Sequence, residues 1–361
     1  MNIKIHSSEL NRMMKTISQC VDDKFDRFSN IEITYDNNLL TIRATNGTFA
    51  AEMFSPLLGG DGEKICVDGT LFAKVCSMCS GDVSITTTEK DCVIKGNGRT
   101  RLPLVNADVP PYKGIDEDNP TVFVKAEDFI RAYSSVAHAI SADQSRVQLT
   151  GVLTEVDETG LRMSTLDGFR MAIETIDCDG DPMKITIPGS FMKLIQNSVV
   201  AGETVSIRTD GKKVEADTEG MRISCGLLVG EFPDLKRIVP DSFKTDCLVK
   251  AESVRNAIRS SGVLNSKENL VKVAIEGDLM KVMSNSERAD YEAEINCETH
   301  GENLIIAFNQ KFLAETMASI GTEDVIMKFN TMSSPMIVTA KTEHGIKHDG
   351  LRLILPVRVA G

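Results

Sequence analysis

Few side chains in this sequence have the type and spacing that chemistry needs. Cys76-Ser-Met-Cys79 is spaced like a metal or redox pair, yet it lies in an amphipathic helical run with no second such pair and no histidine cluster nearby. Such a pair supplies only half of a structural zinc site, so core packing is its expected role. Cys20, Cys66, Cys92, Cys178, Cys225, Cys247 and Cys297 fall mostly inside strand or helix patterns and read as reduced, buried thiols. His6, His138 and His300 are dispersed, and His344 with His348 reads as part of a charged, glycine-containing surface turn. Gly96-Asn-Gly-Arg99 lacks the spacing of a phosphate loop and reads as a hairpin turn. Glu292 and Glu294 alternate along a strand and face outward. Neither a nucleophile elbow nor a zinc-protease motif occurs, so no catalytic residue, metal or cofactor is expected.

The charges that remain sit on helices. Arg12, Lys15, Arg131 and Arg259 fall on the polar faces of amphipathic helices, while Glu9, Glu127, Asp128 and Glu252 crowd the first turns, where the helix dipole favours carboxylates. The basic residues have no such structural need; each is either solvated helix charge or part of a surface that meets an anionic partner. A net charge of −12 argues against a protein that grips nucleic acid by neutralising phosphates. With no tryptophan and 5% aromatic residues, a stacking platform for single strands is poorly supported, whereas a duplex remains open.

The elements that must position these residues repeat. Leu149 to Ala172 alternates apolar and polar residues on both sides of the Asp157 to Gly160 turn and turns again at Asp167-Gly168. Ile31 to Ala50 does the same around Asp36-Asn37-Asn38 and Asn46-Gly47, and Leu270 to Ala293 around Gly277-Asp278 and Asn285-Ser286; the second turns recur about every 120 residues. Each third opens with a short strand at Asn2, Thr121 or Asp246 that runs into an amphipathic helix, aligning Leu10, Phe129 and Val254 in one buried column and Met14, Tyr133 and Ile258 in the next. A second strand-helix-strands unit follows in each third, placing Phe72, Phe191 and Phe312 at equivalent sites, with Thr70, Ser190 and Asn309 as expected N-caps. The 361 residues therefore read as three α+β domains, 1–119, 120–244 and 245–361, each a duplicated unit with helices on one face of antiparallel sheets. Short linkers fall near 113–119 and 240–244, and sheet edges invite continuation into the neighbouring domain. Met1 to Ile5 begins a strand rather than a signal peptide, and no apolar run is long enough for a bilayer, so a cytoplasmic protein without membrane contact is expected.

Leu161-Arg-Met-Ser-Thr-Leu-Asp-Gly-Phe-Arg-Met-Ala172, Gly230-Glu-Phe-Pro-Asp-Leu-Lys-Arg-Ile-Val-Pro240 and Leu353-Ile-Leu-Pro-Val-Arg358 closely resemble segments of the bacterial DNA polymerase III β sliding clamp family. Phe308-Asn-Gln-Lys-Phe-Leu313 and Met332-Ser-Ser-Pro335 add to the likeness, which spans the whole chain. The resemblance implies three tandem copies of the DNA-clamp fold in a head-to-tail homodimer. The ring would have sheets outside and helices inside, and would enclose double-stranded DNA without regard to sequence. It implies a non-catalytic processivity factor in which Arg12, Lys15, Lys24, Lys74, Arg131, Lys193 and Arg259 face the DNA.

Its partners would be the polymerase III α subunit, the clamp-loader δ subunit and other polymerases and repair proteins, each docking a short peptide. The family's apolar pocket maps to Leu149, Leu166, Gly168, Arg170, Met171, Pro233, Arg237, Ile238, Met332, Ser334, Leu353, Ile354, Leu355, Pro356, Val357 and Arg358, with arginines at its rim. Phe169 stands where the family commonly has histidine, and Leu166 where it often has threonine, which makes the expected pocket more apolar. Val-Ala-Gly follows Arg358 and would lie close to that pocket; Asp68-Gly-Thr lacks an arginine found in some relatives. The dimer interface would use Lys74, Val109, Val263, Leu264, Glu292 and Glu294.

Overall fold

The computed structural model describes residues 1–62, 64–263, 269–287, 289–342 and 345–358, the side chains of 342 and 345–349 excepted. Its helices are α1 (Ser7–Ile17), α2 (Gly69–Ser77), α3 (Ala126–Val136), α4 (Gly189–Ser198), α5 (Ala251–Gly262) and α6 (Gln310–Ala318). Residue contacts divide the chain into two compact units, 1–129 with 178–227, and 130–177 with 228–361.

Period-two patterning and turn residues produce the expected hairpins. Asn37 and Asn38 both adopt positive φ between the strands Asn30–Asp36 and Leu39–Thr45, and Gly47, Gly168 and Gly277 do so at the other turns named from the sequence. Gly160 is tightly constrained: its φ is +119°, and a Cβ there would stand 2.3 Å from the Ile176 carbonyl oxygen. Gly96 to Gly98 closes the hairpin between Asp91–Lys95 and Arg99–Pro103, as expected. His348 falls inside the strand Gly345–Ile354 rather than in a surface turn, because that strand pairs with Met336–Thr342 on both sides of it, at Ile346 and at Leu351, with a register shift between the two. His344 lies outside the described residues.

The helix columns are buried as predicted, Leu10, Phe129 and Val254 together with Met14, Tyr133 and Ile258. Two of the expected caps are not caps. At α2 the Asp68 carboxylate accepts the Leu71 N–H at 2.7 Å, and Thr70 is already inside the helix. At α4 Pro188 precedes the first turn with no side-chain cap, and Ser190 is helical. The reason is that each strand runs straight into its helix through a glycine; at Gly69 a Cβ would press within 2.8 Å of both Ile31 and Val21. Asn309 caps α6 as expected, accepting the Phe312 N–H at 3.1 Å.

In the first unit, α1 and α2 pack together over strands. One sheet is four-stranded, with Arg99–Pro103 at its edge. The other is nine-stranded and pairs Met221–Gly226 with Phe49–Pro56, joining segments predicted to belong to separate domains. One row of directly opposite residues crosses it, Glu32, Arg43, Glu52, Arg222 and Asp217, alternating in sign over five strands. Arg43 lies 2.7 Å from Glu32 and 3.8 Å from Glu52, and Arg222 lies 3.0 Å from Asp217. The connecting segment beyond Pro103 is tied down beside this row: Glu215 accepts from Tyr112 Oη at 2.7 Å and from the Ile115 N–H, and Arg43 donates to the Val109 carbonyl.

In the second unit, α5 and α6 pack together. A sheet runs there through Gly151–Asp157, Gly160–Leu166, Arg170–Ile176, Gly345–Ile354, Met336–Thr342, Asp324–Phe329, Thr245–Lys250 and Glu298–Gly301. Here too strands predicted to lie in different domains pair, Arg170–Ile176 with Gly345–Ile354. A separate four-stranded sheet ends at the edge strand Asp290–Asn296.

Candidate functional site

Strand register builds the site in the second unit. Leu166 faces Met171, Met171 faces Leu353 and Leu353 faces Ile337, so four apolar side chains line up in one row across four strands. Leu149 closes the end of this row from the 3-10 turn Gln144–Thr150, and all five side chains form one buried cluster. Phe232, Leu235, Ile238, Val239 and Phe243 pack against it half-buried, presented by a loop whose short 3-10 turn is capped by Asp234. This is an apolar floor with a partly exposed apolar margin, the arrangement that receives an aliphatic anchor from a peptide.

Of the residues expected to line the pocket, Leu149, Leu166, Met171, Ile238 and Leu353 meet in that cluster. Ile354 does not: alternation turns it to the other face, where it joins a second core with Val338, Phe329 and Val254. Arg170 is also turned away from a rim position. It is buried, its Nε donates to Asp167 at 3.0 Å, its Nη1 pairs with Glu315, and its guanidinium lies 4.5 Å from the Phe312 ring centroid. Arg237 does stand at the surface, 86% exposed beside Asp234. Gly168, with φ +92°, permits the tight turn in which Asp167 accepts the N–H groups of Phe169 and Arg170 at 2.9 Å each.

Phe169 is 58% exposed with its ring 5.7 Å from Phe312, so the aromatic in the place of histidine forms part of an exposed apolar surface. Met332 and Leu355 are exposed apolar residues as well, Pro233 and Arg358 are exposed, and Ser334, Pro356 and Val357 are half-buried. The tail is held by backbone bonds, Leu355 N–H to Phe169 O and Val357 N–H to Ala307 O, both 2.8 Å. Sequence reasoning missed Ile337, Phe232 and Phe243 because their place depends on pairings distant in the chain.

The basic side chains divide into two kinds. Lys15, Lys24, Lys74, Arg131, Lys193 and Arg259 are exposed. Arg12 is half-buried and engaged: its Nη2 and Nε meet the two Glu9 oxygens at 2.7 and 2.9 Å, and this hydrogen bonding holds the Glu9 carboxyl below the usual carboxylate range. Arg131 lies 3.4 Å from Glu174, whose other oxygen takes a 2.8 Å bond from the buried Arg352.

Among the residues expected at the dimer interface, Lys74, Val263, Glu292 and Glu294 are exposed. Val109 is 3% exposed, buried within its own chain, and Leu264 lies outside the described residues. The two edge strands carry opposite charge: exposed Arg99 and Arg101 on Arg99–Pro103, exposed Glu292 and Glu294 on Asp290–Asn296. No group of His, Cys, Asp and Glu suited to a metal occurs among the described residues. Burial raises the Cys76 and Cys79 thiols, and Cys79 Sγ donates to the Val75 carbonyl at 3.3 Å, as expected of packing cysteines. No described helix is long and apolar enough to cross a membrane.

Known proteins resemble this chain along its length. Residues 123–234 match the model of the DNA polymerase III beta subunit, central domain, and residues 236–358 that of its C-terminal domain. The beta sliding clamp of Caulobacter vibrioides is 26% identical over 304 residues, covering 80% of this chain and 81% of the relative. That of Lactococcus lactis is 21% identical over 98% of each. Among solved structures, the DNA polymerase III beta subunit of Thermotoga maritima superposes with a TM-score of 0.88 at 24% identity, covering 99% of this chain and all of that one. The DNA polymerase sliding clamp of Bacillus subtilis gives 0.90 at 20% identity and covers both chains in full. The fold, the paired matches that run from 123 to 358 with one residue between them, and the curated relatives agree: this chain belongs to the bacterial DNA polymerase III beta sliding clamp family.

Proposed function

We propose that this chain is a non-catalytic sliding clamp. Two copies close head to tail into a ring around duplex DNA and tether the replicative polymerase. The observation that carries this reading is membership of the clamp family, with likeness to clamp structures over essentially the whole chain. Three domains, 1–119, 120–244 and 245–361, are supported by the two family matches and by the repeat of strand and helix patterns. Closure as a homodimer is supported by the opposite charges on the two edge strands, which suit antiparallel pairing between copies. Lys15, Lys24, Lys74, Arg131, Lys193 and Arg259 supply mild positive charge toward the DNA, with Arg12 held back by Glu9. A cytoplasmic location follows from a role in replication.

The apolar row with its half-buried margin takes peptides from the polymerase III α subunit, the clamp-loader δ subunit and other polymerases and repair proteins. Deleting the residues after Ile354 removes Leu355 and the two backbone bonds of the tail while leaving both edge strands in place. Fluorescence polarisation with a polymerase-derived peptide should show affinity falling by at least about tenfold, roughly 1.4 kcal/mol, with the dimer intact by sedimentation. Unchanged peptide affinity would refute the pocket assignment.

A further inference from the structure

Cys247 lies at the centre of the strand Thr245–Lys250, and its direct cross-strand partner is Thr299. Cys297, just before the strand Glu298–Gly301, shares that face, and its Sγ lies 3.4 Å from Thr299 Oγ1. It packs against the core that contains Cys247, two residues before the Thr299 that stands directly opposite Cys247. The approach is imposed by the backbone: Cys297 N–H donates to the Asp278 carbonyl at 3.0 Å and Thr299 N–H to the Asp278 carboxylate at 2.9 Å, which fixes the segment over Cys247. Cys247 is buried and Cys297 only half-buried, so one thiol of the pair is open to reagents and the other waits behind it.

We propose that Cys247 and Cys297 form a redox-modifiable pair that a peroxide closes to an intrachain disulfide. The Cys297 thiolate attacks one peroxide oxygen; an S–O bond forms, the O–O bond breaks, and the departing hydroxide takes a proton to leave as water. The Cys247 sulfur then attacks the sulfenic sulfur; the S–S bond forms, the S–O bond breaks, and the hydroxyl leaves as a second water with the Cys247 proton. Both thiols are thereby oxidised and one peroxide is reduced. Burial first, then the Cys297 thiol and Asp278, push Cys247 up to about 12, so the second step is slow near neutrality and quickens as pH rises. The pair therefore records sustained oxidation rather than a brief pulse, and a dithiol reductant resets it.

The test is peptide mapping of the full chain after hydrogen peroxide, with free thiols blocked by N-ethylmaleimide under denaturing conditions. A cross-linked peptide joining Cys247 to Cys297 should form, disappear with dithiothreitol, and be absent from Cys297→Ser, while the half-buried Cys79 and Cys178 remain alkylated or form other products. Recovery of Cys297 as sulfinic acid with Cys247 still alkylated would overturn the proposal. Because a substitution at Cys247 could disturb the core, the second probe uses the unaltered protein: phenylarsine oxide, which bridges adjacent thiols, should protect both from alkylation. Protection of neither would overturn the proposal equally.

Discussion

Glu174 and Arg352 show what this fold asks of single residues. Arg352 is almost wholly buried, and its guanidinium is met by Ser319 Oγ at 3.0 Å, the Ile173 carbonyl at 2.6 Å and the Glu174 carboxylate at 2.8 Å. Removing the cation takes from the buried Glu174 carboxylate its shorter ion pair, the one to Arg131 being 3.4 Å, so Arg352→Ala should lower unfolding stability by about 3 kcal/mol in urea titration. Replacing both partners with apolar residues of similar volume should recover most of that loss, since the desolvation of both charges disappears together. Arg12 and Glu9 form a more exposed pair with a smaller effect. Glu9 is depressed by the Arg12 hydrogen bonds, so its contribution is present above the ordinary carboxylate range and is lost as pH falls through the lowered folded value. Glu9→Gln should therefore cost about 0.5 kcal/mol at neutral pH and nothing in strong acid, read from thermal midpoints across that range.

At the scale of elements, the row of alternating charges over Glu32, Arg43, Glu52, Arg222 and Asp217 spans the pairing of Phe49–Pro56 with Met221–Gly226. Arg222→Glu would place like charges directly opposite both Glu52 and Asp217. Amide exchange over Met221 to Cys225 should quicken about tenfold, near 1.4 kcal/mol of local stability, with little change in the four-stranded sheet of the same unit. That row was not legible in the sequence, because its members come from strands far apart and only the register aligns them. The hairpins were legible, since alternation and turn residues such as Asn37-Asn38 and Asp167-Gly168 are local signals. The α2 and α4 caps were placed two residues late, at Thr70 and Ser190, because the strand-to-helix step through Gly69 and Gly189 leaves no loop for a hydroxyl cap. The apolar site was half legible: the motifs located Leu166, Met171 and Leu353, while period-two alternation, applied strictly, would already have sent Ile354 and Arg170 to the opposite face.

At the scale of the whole molecule, the governing fact is a net charge of −12 on a chain of a DNA-clamp family. Tight phosphate neutralisation would give a steep salt dependence and would also hinder movement along the duplex. Enclosure needs neither. The cations proposed to face the duplex can be weak because topology, rather than contact energy, sets the residence time. The most direct measurement is retention after loading on nicked circular DNA, compared before and after linearisation at physiological and high salt. The protein should stay on the circle at both salts and leave rapidly once free ends exist. Equal loss from circle and line, rising steeply with salt in both, would contradict it.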